Sequence, residues 1–168
     1  ASQLTALKSQ MNPHFLFNTL NSLQDLILKH DIKNSNYYLN KFSVLMREVL
    51  DISGKDEISL VREIKLLDTY LELEKLRFGD EFNFFINVDD EIDVEHLQLP
   101  PMIIQPFIEN ALKHGLLHKK GEKKLFIDFK LTNDILICEI IDNGVGRKKS
   151  EEIKARNSRT YQSFSTEA

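Results

Sequence analysis

A histidine at position 14 lies among uncharged amides in the segment QMNPHFLFN, residues 10–18. If the segment is helical, steps of three and four residues place five polar side chains on one ridge. These are Gln10, His14, Asn18, Asn21 and Asp25. An imidazole with amides one turn to either side is a candidate nucleophile at physiological pH. The alternative is an ordinary polar helix face that carries one histidine.

The proline before this histidine stands inside a helical pattern that runs from residue 4 to about residue 28. Within a helix, proline removes a backbone donor and clashes with the preceding turn, at a cost of about 3 kcal/mol. We therefore predict a kink at Pro13, directly before His14. The predicted apolar stripe of this helix comprises Leu16, Leu20, Leu23 and Ile27.

A second helical pattern with polar residues is LPPMIIQPFIENALKHG, residues 99–115. Pro100 and Pro101 are predicted to open this helix and Gly115 to end it, with Pro106 in the first ordered turn. The predicted buried face comprises Ile104, Phe107, Ile108, Ala111 and Leu112.

The polar face of this helix combines residue types that suit a phosphate and a metal ion. Asn110, Lys113 and His114 share a face because they are three and four residues apart, and Glu109 is adjacent. An amide oxygen suits Mg²⁺, while lysine and histidine can contact phosphates. The alternative is a solvated helix end with an ion pair between Glu109 and Lys113.

The third segment is DNGVG, residues 142–146, which directly follows a predicted strand. A carboxylate such as Asp142 can accept a hydrogen bond from an exocyclic amine, and Gly144 and Gly146 allow a flat base to approach the backbone. Asn-Gly is also a common hairpin signal. We predict no second strand here, however, because the polar run RKKSEEIKARN follows. The absence of a GK[ST] continuation excludes a P-loop.

The periodicity around these segments predicts an α+β chain. Helices are predicted over residues 4–28, 38–52, 60–79 and 100–114, and strands over residues 82–88, 125–131 and 135–141. The first two helices, joined by residues 30–36, cannot bury both apolar stripes alone, so a four-helix homodimer is expected. The polar residues 147–168 are predicted to form a mobile loop or lid.

Composition narrows the class of protein. The net charge of −4 over 168 residues shows no basic excess that would indicate a nucleic-acid partner. The single cysteine, Cys138, lies in the apolar run ILICEII and is expected to be buried, as is typical of a reducing compartment. Neither a zinc-ligand spacing, nor a signal peptide, nor a membrane-spanning apolar run of ~20 residues is present. A soluble, intracellular protein is therefore expected.

Together, these segments resemble the LytS/YehU-like sensor histidine kinases, two-component kinases with a GHKL (Bergerat) ATP-binding domain. NPHFLFN is similar to the family's phospho-acceptor box, PPMIIQPFIENALKHG to its asparagine box and DNGVG to its first glycine box. LELEKLRFGDEF, residues 71–82, resembles the linker between the two domains. The resemblance implies a dimerising helical hairpin over residues 1–55 and a Bergerat-type α/β sandwich over residues 56–168. That sandwich is expected to lack its last helix and strands and to have its lid at about residues 147–168.

The resemblance also implies a role for each candidate residue. His14 would be the phospho-acceptor, Asn18 would orient water for dephosphorylation, and Glu109 would polarise groups around the metal. Asn110 would bind Mg²⁺, and Asp142 would recognise adenine. The phosphate contacts and the pocket-shaping glycines would be Lys113, His114, Gly144 and Gly146.

The implied activity is autophosphorylation from Mg-ATP, followed by transfer to an aspartate of a response regulator. The implied location is the cytoplasmic, inner-face part of a membrane-anchored bacterial protein, with the membrane reached only through segments absent from this chain. Phe15 stands where many histidine kinases have an acid, and no GxGxG second glycine box is present. Two alternatives therefore stay open: a non-catalytic dimeric scaffold, and a GHKL ATPase with Glu109 as the base.

Overall fold

The computed structural model describes residues 11–144 and the backbone of residues 149–152, and its elements confirm the predicted α+β class. The helices are α1 (Pro13–Leu28), α2 (Ile32–Ile52), α3 (Leu60–Phe78) and α4 (Gln105–Asn110), the last continued by a π-helical segment (Ala111–Leu116). The strands are β1 (Ile58–Ser59), β2 (Phe82–Val88), β3 (Gln98–Leu99), β4 (Lys123–Thr132), β5 (Ile135–Asp142) and β6 (Lys149–Glu152).

The main sheet has the strand order β2-β4-β5-β6. β2 and β4 are parallel, whereas the other two pairs are antiparallel. The β4–β5 turn places Asn133 and Asp134 at positive φ, a conformation that these two residue types tolerate. The buried side chains of β4 and β5 alternate along each strand, as predicted: Leu125, Ile127, Phe129, Leu136, Cys138 and Ile140.

β6 contradicts the prediction that no strand follows DNGVG. It pairs antiparallel with residues 137–140 of β5, so four residues assigned to a mobile lid belong to the sheet. The sequence KSEE lacks the apolar alternation of a buried strand, and charged residues are typical of sheet edges. Such a strand is held by backbone hydrogen bonds that sequence pattern does not reveal. Residues 147–148 and 153–168 of the predicted lid lie outside the described residues.

Helices α1 and α2 contact each other, and both contact α3. The connection between α1 and α2 is shorter than predicted, since α2 begins at Ile32, where the Asp31 side chain accepts a hydrogen bond from the Asn34 N–H. Buried side chains of the first two helices, and Met11 just before them, join the core of the α3 and sheet region; those of the helices are Phe15, Leu45, Val49 and Ile52. One apolar core therefore continues from the first two helices to the sheet.

The apolar stripe predicted for α1 is only partly buried. Leu23 is buried, whereas Leu20 and Ile27 are 48% and 57% exposed. Other large apolar side chains of α1 and α2 are also exposed: Phe17, Leu28, Ile32, Leu39 and Val44. These exposed apolar side chains are candidates for contact with a partner. Among the described helices, none is both long enough and apolar enough to cross a membrane.

The two proline-containing helices begin later than predicted. Asn12 is extended, with φ −64° and ψ 121°, so α1 begins at Pro13 and the predicted kink inside a continuous helix is wrong. At the first helical position proline costs little, because its missing N–H would have no partner in the helix. α4 begins at Gln105 rather than at Pro100 or Pro101, with Pro106 in its first turn as predicted.

The loop before α4 is attached to α3 by a buried carboxyl group. Glu63 is fully buried, and its Oε2 accepts a hydrogen bond of 2.9 Å from the Met102 N–H. Met102 has φ 59°, a strained conformation for this residue type. Burial raises the pKa of Glu63 to about 7, although the backbone hydrogen bonds of Met102 and Ile104 act in the opposite direction. The start of the asparagine-containing helix is therefore positioned by an acid that stays largely protonated below neutral pH.

We expect Glu63→Gln to remove a pH dependence of stability. Because the pKa is raised on folding, the folded protein retains a proton between pH 4.5 and about 7 that the unfolded chain loses. The contribution of Glu63 to the free energy of unfolding is therefore largest at low pH. It falls by up to about 3 kcal/mol as the pH rises through this window. Urea unfolding should show the variant close to the wild type at pH 5 and more stable at pH 8. The control is Glu91→Gln at an exposed position. If the free energy of unfolding changed equally with pH in all three proteins, the assignment would be contradicted.

Candidate functional site

The start of α1 exposes one side chain and buries its neighbour. The Asn12 side chain caps the helix by accepting a hydrogen bond of 2.9 Å from the His14 N–H. Phe15 is buried, with its ring centroid 4.7 Å from that of Tyr70 on α3. Because the core takes residue 15, His14 remains exposed on the polar side of α1. An acid at residue 15 would lie in this apolar contact, so the absence of one there follows from packing.

The polar side of α1 forms one wall of a cavity of about 640 Å³. Other walls come from α3, α4 and the π-helical segment. The cavity brings together five of the predicted site residues: His14, Asn18, Glu109, Asn110 and Lys113. Asn21 and Asp25 of the predicted ridge also line it, and Gln10 lies outside the described residues. His114 is exposed and is not among the residues that line this cavity.

Glu109 lines the cavity opposite the start of α1 and has a partner on its own helix. It is half-buried, and the Gln105 side chain donates a hydrogen bond of 3.2 Å to its Oε1. The Asn12 side chain lines the same cavity and favours the ionised form of this carboxyl group. Burial raises the pKa of Glu109, while the hydrogen bonds from Gln105 and Asn12 lower it. Burial thus favours the protonated form of Glu109, and His14 lines the same cavity, which makes Glu109 a candidate for proton exchange with the imidazole.

A second acid in the cavity was not predicted from the sequence. Glu74 of α3 is 3% exposed and lies 3.8 Å from Arg77. Burial raises the pKa of Glu74 to about 7, with a further increase from Glu109 and a decrease from Arg77. Glu74 and Arg77 lie in the segment that resembles the family linker, in which the motifs assign no site residue. The cavity therefore holds Glu74, whose carboxyl group is partly protonated near neutral pH, and Glu109, whose pKa is also raised by burial. Two cations, Arg77 and Lys113, line the same cavity.

The π-helical segment connects the cavity to DNGVG. The helix does not end at Gly115 as predicted but continues to Leu116, and π-helical turns occur frequently at functional sites. A Cβ at Gly115 would lie 2.4 Å from Asp142 Oδ1, so only glycine allows the Asp142 carboxylate to come this close. The two predicted boxes are therefore in direct contact through Gly115 and Asp142.

Asp142 is oriented by the glycine that follows it. The Gly144 N–H donates a hydrogen bond of 2.9 Å to Asp142 Oδ1, and a Cβ at Gly144 would lie 2.0 Å from the Gly115 carbonyl oxygen. Asn143 anchors this turn to β4, because its side chain accepts from the Lys124 N–H and donates to the Glu122 carbonyl oxygen. Through Asn143, the Asn-Gly pair holds the segment against the start of β4. Gly146 lies outside the described residues.

The donor set fits a nucleotide with Mg²⁺. In the described part of the chain, no group of three His, Cys, Asp or Glu side chains could hold a metal ion. Mg²⁺ needs no such group, because it takes one or two protein oxygens and completes its shell from phosphates and water. The Asn110 amide oxygen can supply such a ligand, with Lys113 beside it for phosphate charge. Asp142 retains acceptor capacity for an amine after its contact with Gly144.

Comparison with known proteins found sequences that are similar to this chain. The sequence profile described as histidine kinase matches residues 2–82, the part that holds His14 and α3. Sensor protein LytS of Oceanobacillus iheyensis is 34% identical to the chain over 146 residues, which is 86% of the chain. These matches support the assignment of the chain to the LytS-like sensor histidine kinases. Sensor protein LytS of Bacillus subtilis is 31% identical over 145 residues, and that of Staphylococcus epidermidis is 30% identical over the same length.

The chain spans 24% of the length of each of these LytS relatives. The site residues that sequence reasoning missed are Asn12, Glu74 and Arg77. For Asn12 a signal was present, because an asparagine before a proline is typical of a helix start.

Proposed function

We propose that this chain is the catalytic region of a LytS-like sensor histidine kinase that phosphorylates His14 from Mg-ATP. The observation that carries this proposal is the shared cavity of His14, Asn110 and Lys113. An exposed imidazole, an amide that could bind Mg²⁺ and a cation that could contact phosphate line the same cavity. Family membership supports the same assignment.

In the proposed reaction, an unprotonated ring nitrogen of His14 attacks the γ-phosphorus of ATP. A phosphorus–nitrogen bond forms, the bond from phosphorus to the bridging oxygen of ADP breaks, and ADP leaves. Lys113 stabilises the charge of the transferring group. Asn110 would hold Mg²⁺, which when bound would supply positive charge to offset the charge of the phosphates. Glu109 accepts the N–H proton from the other ring nitrogen of His14 after the phosphorus–nitrogen bond has formed. The raised pKa of Glu109 suits this role.

The nucleotide is proposed to extend from this cavity toward DNGVG. Gly115 and the rest of the π-helical segment connect Asn110 to Asp142, which would accept a hydrogen bond from the adenine amine. Gly144 and Gly146 would shape that end of the pocket, and His114 would contact phosphate from the exposed side. Asn18, one turn after His14, would orient the water for dephosphorylation. This arrangement corresponds to a Bergerat-type ATP-binding domain next to a dimerising helical hairpin.

The partners of the proposed kinase are a second copy of the chain and a response regulator. Exposed apolar side chains of α1 and α2 support a homodimer through these helices, because they would otherwise remain in water. The regulator would receive the phosphoryl group on an aspartate. We place the region on the cytoplasmic side of a membrane-anchored bacterial protein, where ATP and the regulator are available.

The test of this proposal is labelling of the purified protein with γ-labelled ATP and Mg²⁺. We expect label on the protein that is lost in acid and retained in base, because a phosphorus–nitrogen bond is acid-labile. An ATPase would release inorganic phosphate without protein label, and a scaffold would produce neither. Mass spectrometry of a digest made at neutral pH should place the phosphoryl group on the peptide that contains His14.

A further inference from the structure

Glu74 of α3 is a buried carboxyl group that packing does not explain. It is 3% exposed, and its Oε2 has no hydrogen-bond partner in the described part of the chain. A buried polar atom without such a partner lowers stability, so a role beyond packing is expected for this side chain. Glu74 lines the cavity that also holds Asn110 and Lys113. The unexplained acid therefore adjoins the residues that suit a metal ion and a phosphate.

Arg77 is the cation next to this carboxyl group. Its Nε lies 3.8 Å from Glu74 Oε2, which is an ion-pair distance but too long for a hydrogen bond. The Arg77 guanidinium also lies over the ring of Phe78, 4.7 Å from the ring centroid. A guanidinium has two amino groups besides Nε, and Arg77 lines the same cavity as Glu74. The two contacts thus hold the guanidinium by its Nε and its face and leave amino-group donors for an anion in the cavity.

Lys75 shows what a cation does at this end of α3 without access to the cavity. Its Nζ lies 3.5 Å from Glu72 Oε1 and 5.3 Å from the centroid of the Phe84 ring. Its side chain is 32% exposed, against 29% for Arg77. Lys75 is not among the residues that line the cavity. The two cations therefore share an acid three residues earlier and a ring contact, and they differ in their access to the cavity.

We propose that Arg77 binds the phosphoryl group that ATP transfers, and that Glu74 is the positioning residue that holds the Arg77 guanidinium at the cavity. The inference rests on the proposed kinase function and deepens it. A planar guanidinium can bind two phosphate oxygens at once, whereas the ammonium group of Lys113 acts as a point charge. Donors that are in place before the reaction stabilise the charge of the transferring group most effectively. Because Arg77 shares the cavity with Asn110, this role is the same for an acceptor histidine of either chain.

Arg77→Gln tests the phosphate contact, because glutamine keeps a polar side chain and removes the charge. We expect the labelling rate at saturating ATP to fall roughly 10²-fold. The ratio of the Kd for ADP to the Kd for ATP should fall roughly tenfold, since the lost hydrogen bonds are to the phosphate that ADP lacks. Arg77→Lys should recover part of both losses, because an ammonium group keeps the charge without the fork.

The matched control is Lys75→Gln, which removes a cation from the same helix end. This variant should be labelled, and should bind both nucleotides, as the wild type does. Equal labelling rates for Arg77→Gln and Lys75→Gln would overturn the proposal, and so would an equal loss of affinity for ATP and ADP. Absence of label on the wild type would instead overturn the kinase function, and the ratio of the two Kd values would still decide whether Arg77 contacts phosphate.

A double-mutant cycle tests the positioning role of Glu74. Glu74→Gln keeps the size of the side chain and removes the charge that faces Arg77. We expect the labelling rate to fall roughly tenfold in the wild-type background and no further in the Arg77→Gln background, because Glu74 acts through Arg77. A purely structural role would lower the rate and the melting temperature equally in both backgrounds. Equal losses of rate in the two backgrounds, or no loss in either, would overturn the positioning role.

Discussion

His14→Ala is expected to abolish labelling of the protein by γ-labelled ATP, lowering the rate by roughly 10³-fold or more. The reason is that the substitution removes the only atom that forms the new bond to phosphorus. The His14 side chain is exposed, and the cap contact of this residue uses its backbone N–H, which alanine retains. The fold, the dimer and the ATP affinity should therefore remain unchanged.

The measurement is a time course of labelling at saturating ATP, combined with a binding isotherm for the nucleotide. His96→Ala is the control, because the His96 side chain is exposed and lies 2.9 Å from Asp93, away from the cavity. Undiminished label on the His14→Ala protein would exclude His14 as the acceptor. Loss of label together with loss of ATP binding would point to a folding defect, which circular dichroism would reveal.

The second large effect is expected for Gly144→Ala. A Cβ at this position would lie 2.0 Å from the Gly115 carbonyl oxygen and 2.7 Å from Asp142 Oδ1. The nearer atom is backbone, so the contact can be relieved only by moving DNGVG away from the π-helical segment. We expect the affinity for ATP to fall at least about tenfold, equivalent to about 1.4 kcal/mol. Labelling at low ATP concentration should fall in parallel.

Gly54→Ala is the matched control, since a Cβ there meets nothing within 4 Å. Nucleotide titration of both variants, followed by fluorescence of an ATP analogue, separates a local effect from a general one. The control should bind as the wild type does. Unchanged affinity of the Gly144→Ala protein would show that the contact of DNGVG with Gly115 has no part in nucleotide binding.

Local pattern was sufficient for most elements of the fold. α3 ends at Gly79 with φ 78°, as the glycine signal predicts, because a helix end needs a residue that tolerates this conformation. The β4–β5 hairpin was equally clear, since alternation and turn residues are local properties. β6 was missed because an edge strand is stabilised by its neighbour, and the sequence KSEE carries no pattern of its own.

The starts of α1 and α4 show how two local sequence signals, the position of proline and apolar periodicity, can conflict. Pro13 and Pro106 lie in the first turns of α1 and α4, where proline is tolerated. The predicted kink at Pro13 was wrong because apolar periodicity continues through Met11, which is buried by the core without being helical. Periodicity reports burial on one face, and burial alone does not require a helix.

Motifs a few residues long identify the candidate site residues, because residue type and close spacing are encoded locally. These residues are His14, Asn18, Asn110, Lys113 and Asp142. Their placement does not follow from those motifs. The Phe15 ring packs against Tyr70, Glu109 lines one cavity with Asn12, and Gly115 leaves room for the Asp142 carboxylate. Each of these pairs is separated by 27 or more residues along the chain. Only tertiary packing brings them together, because burial and steric fit depend on atoms that are distant in sequence.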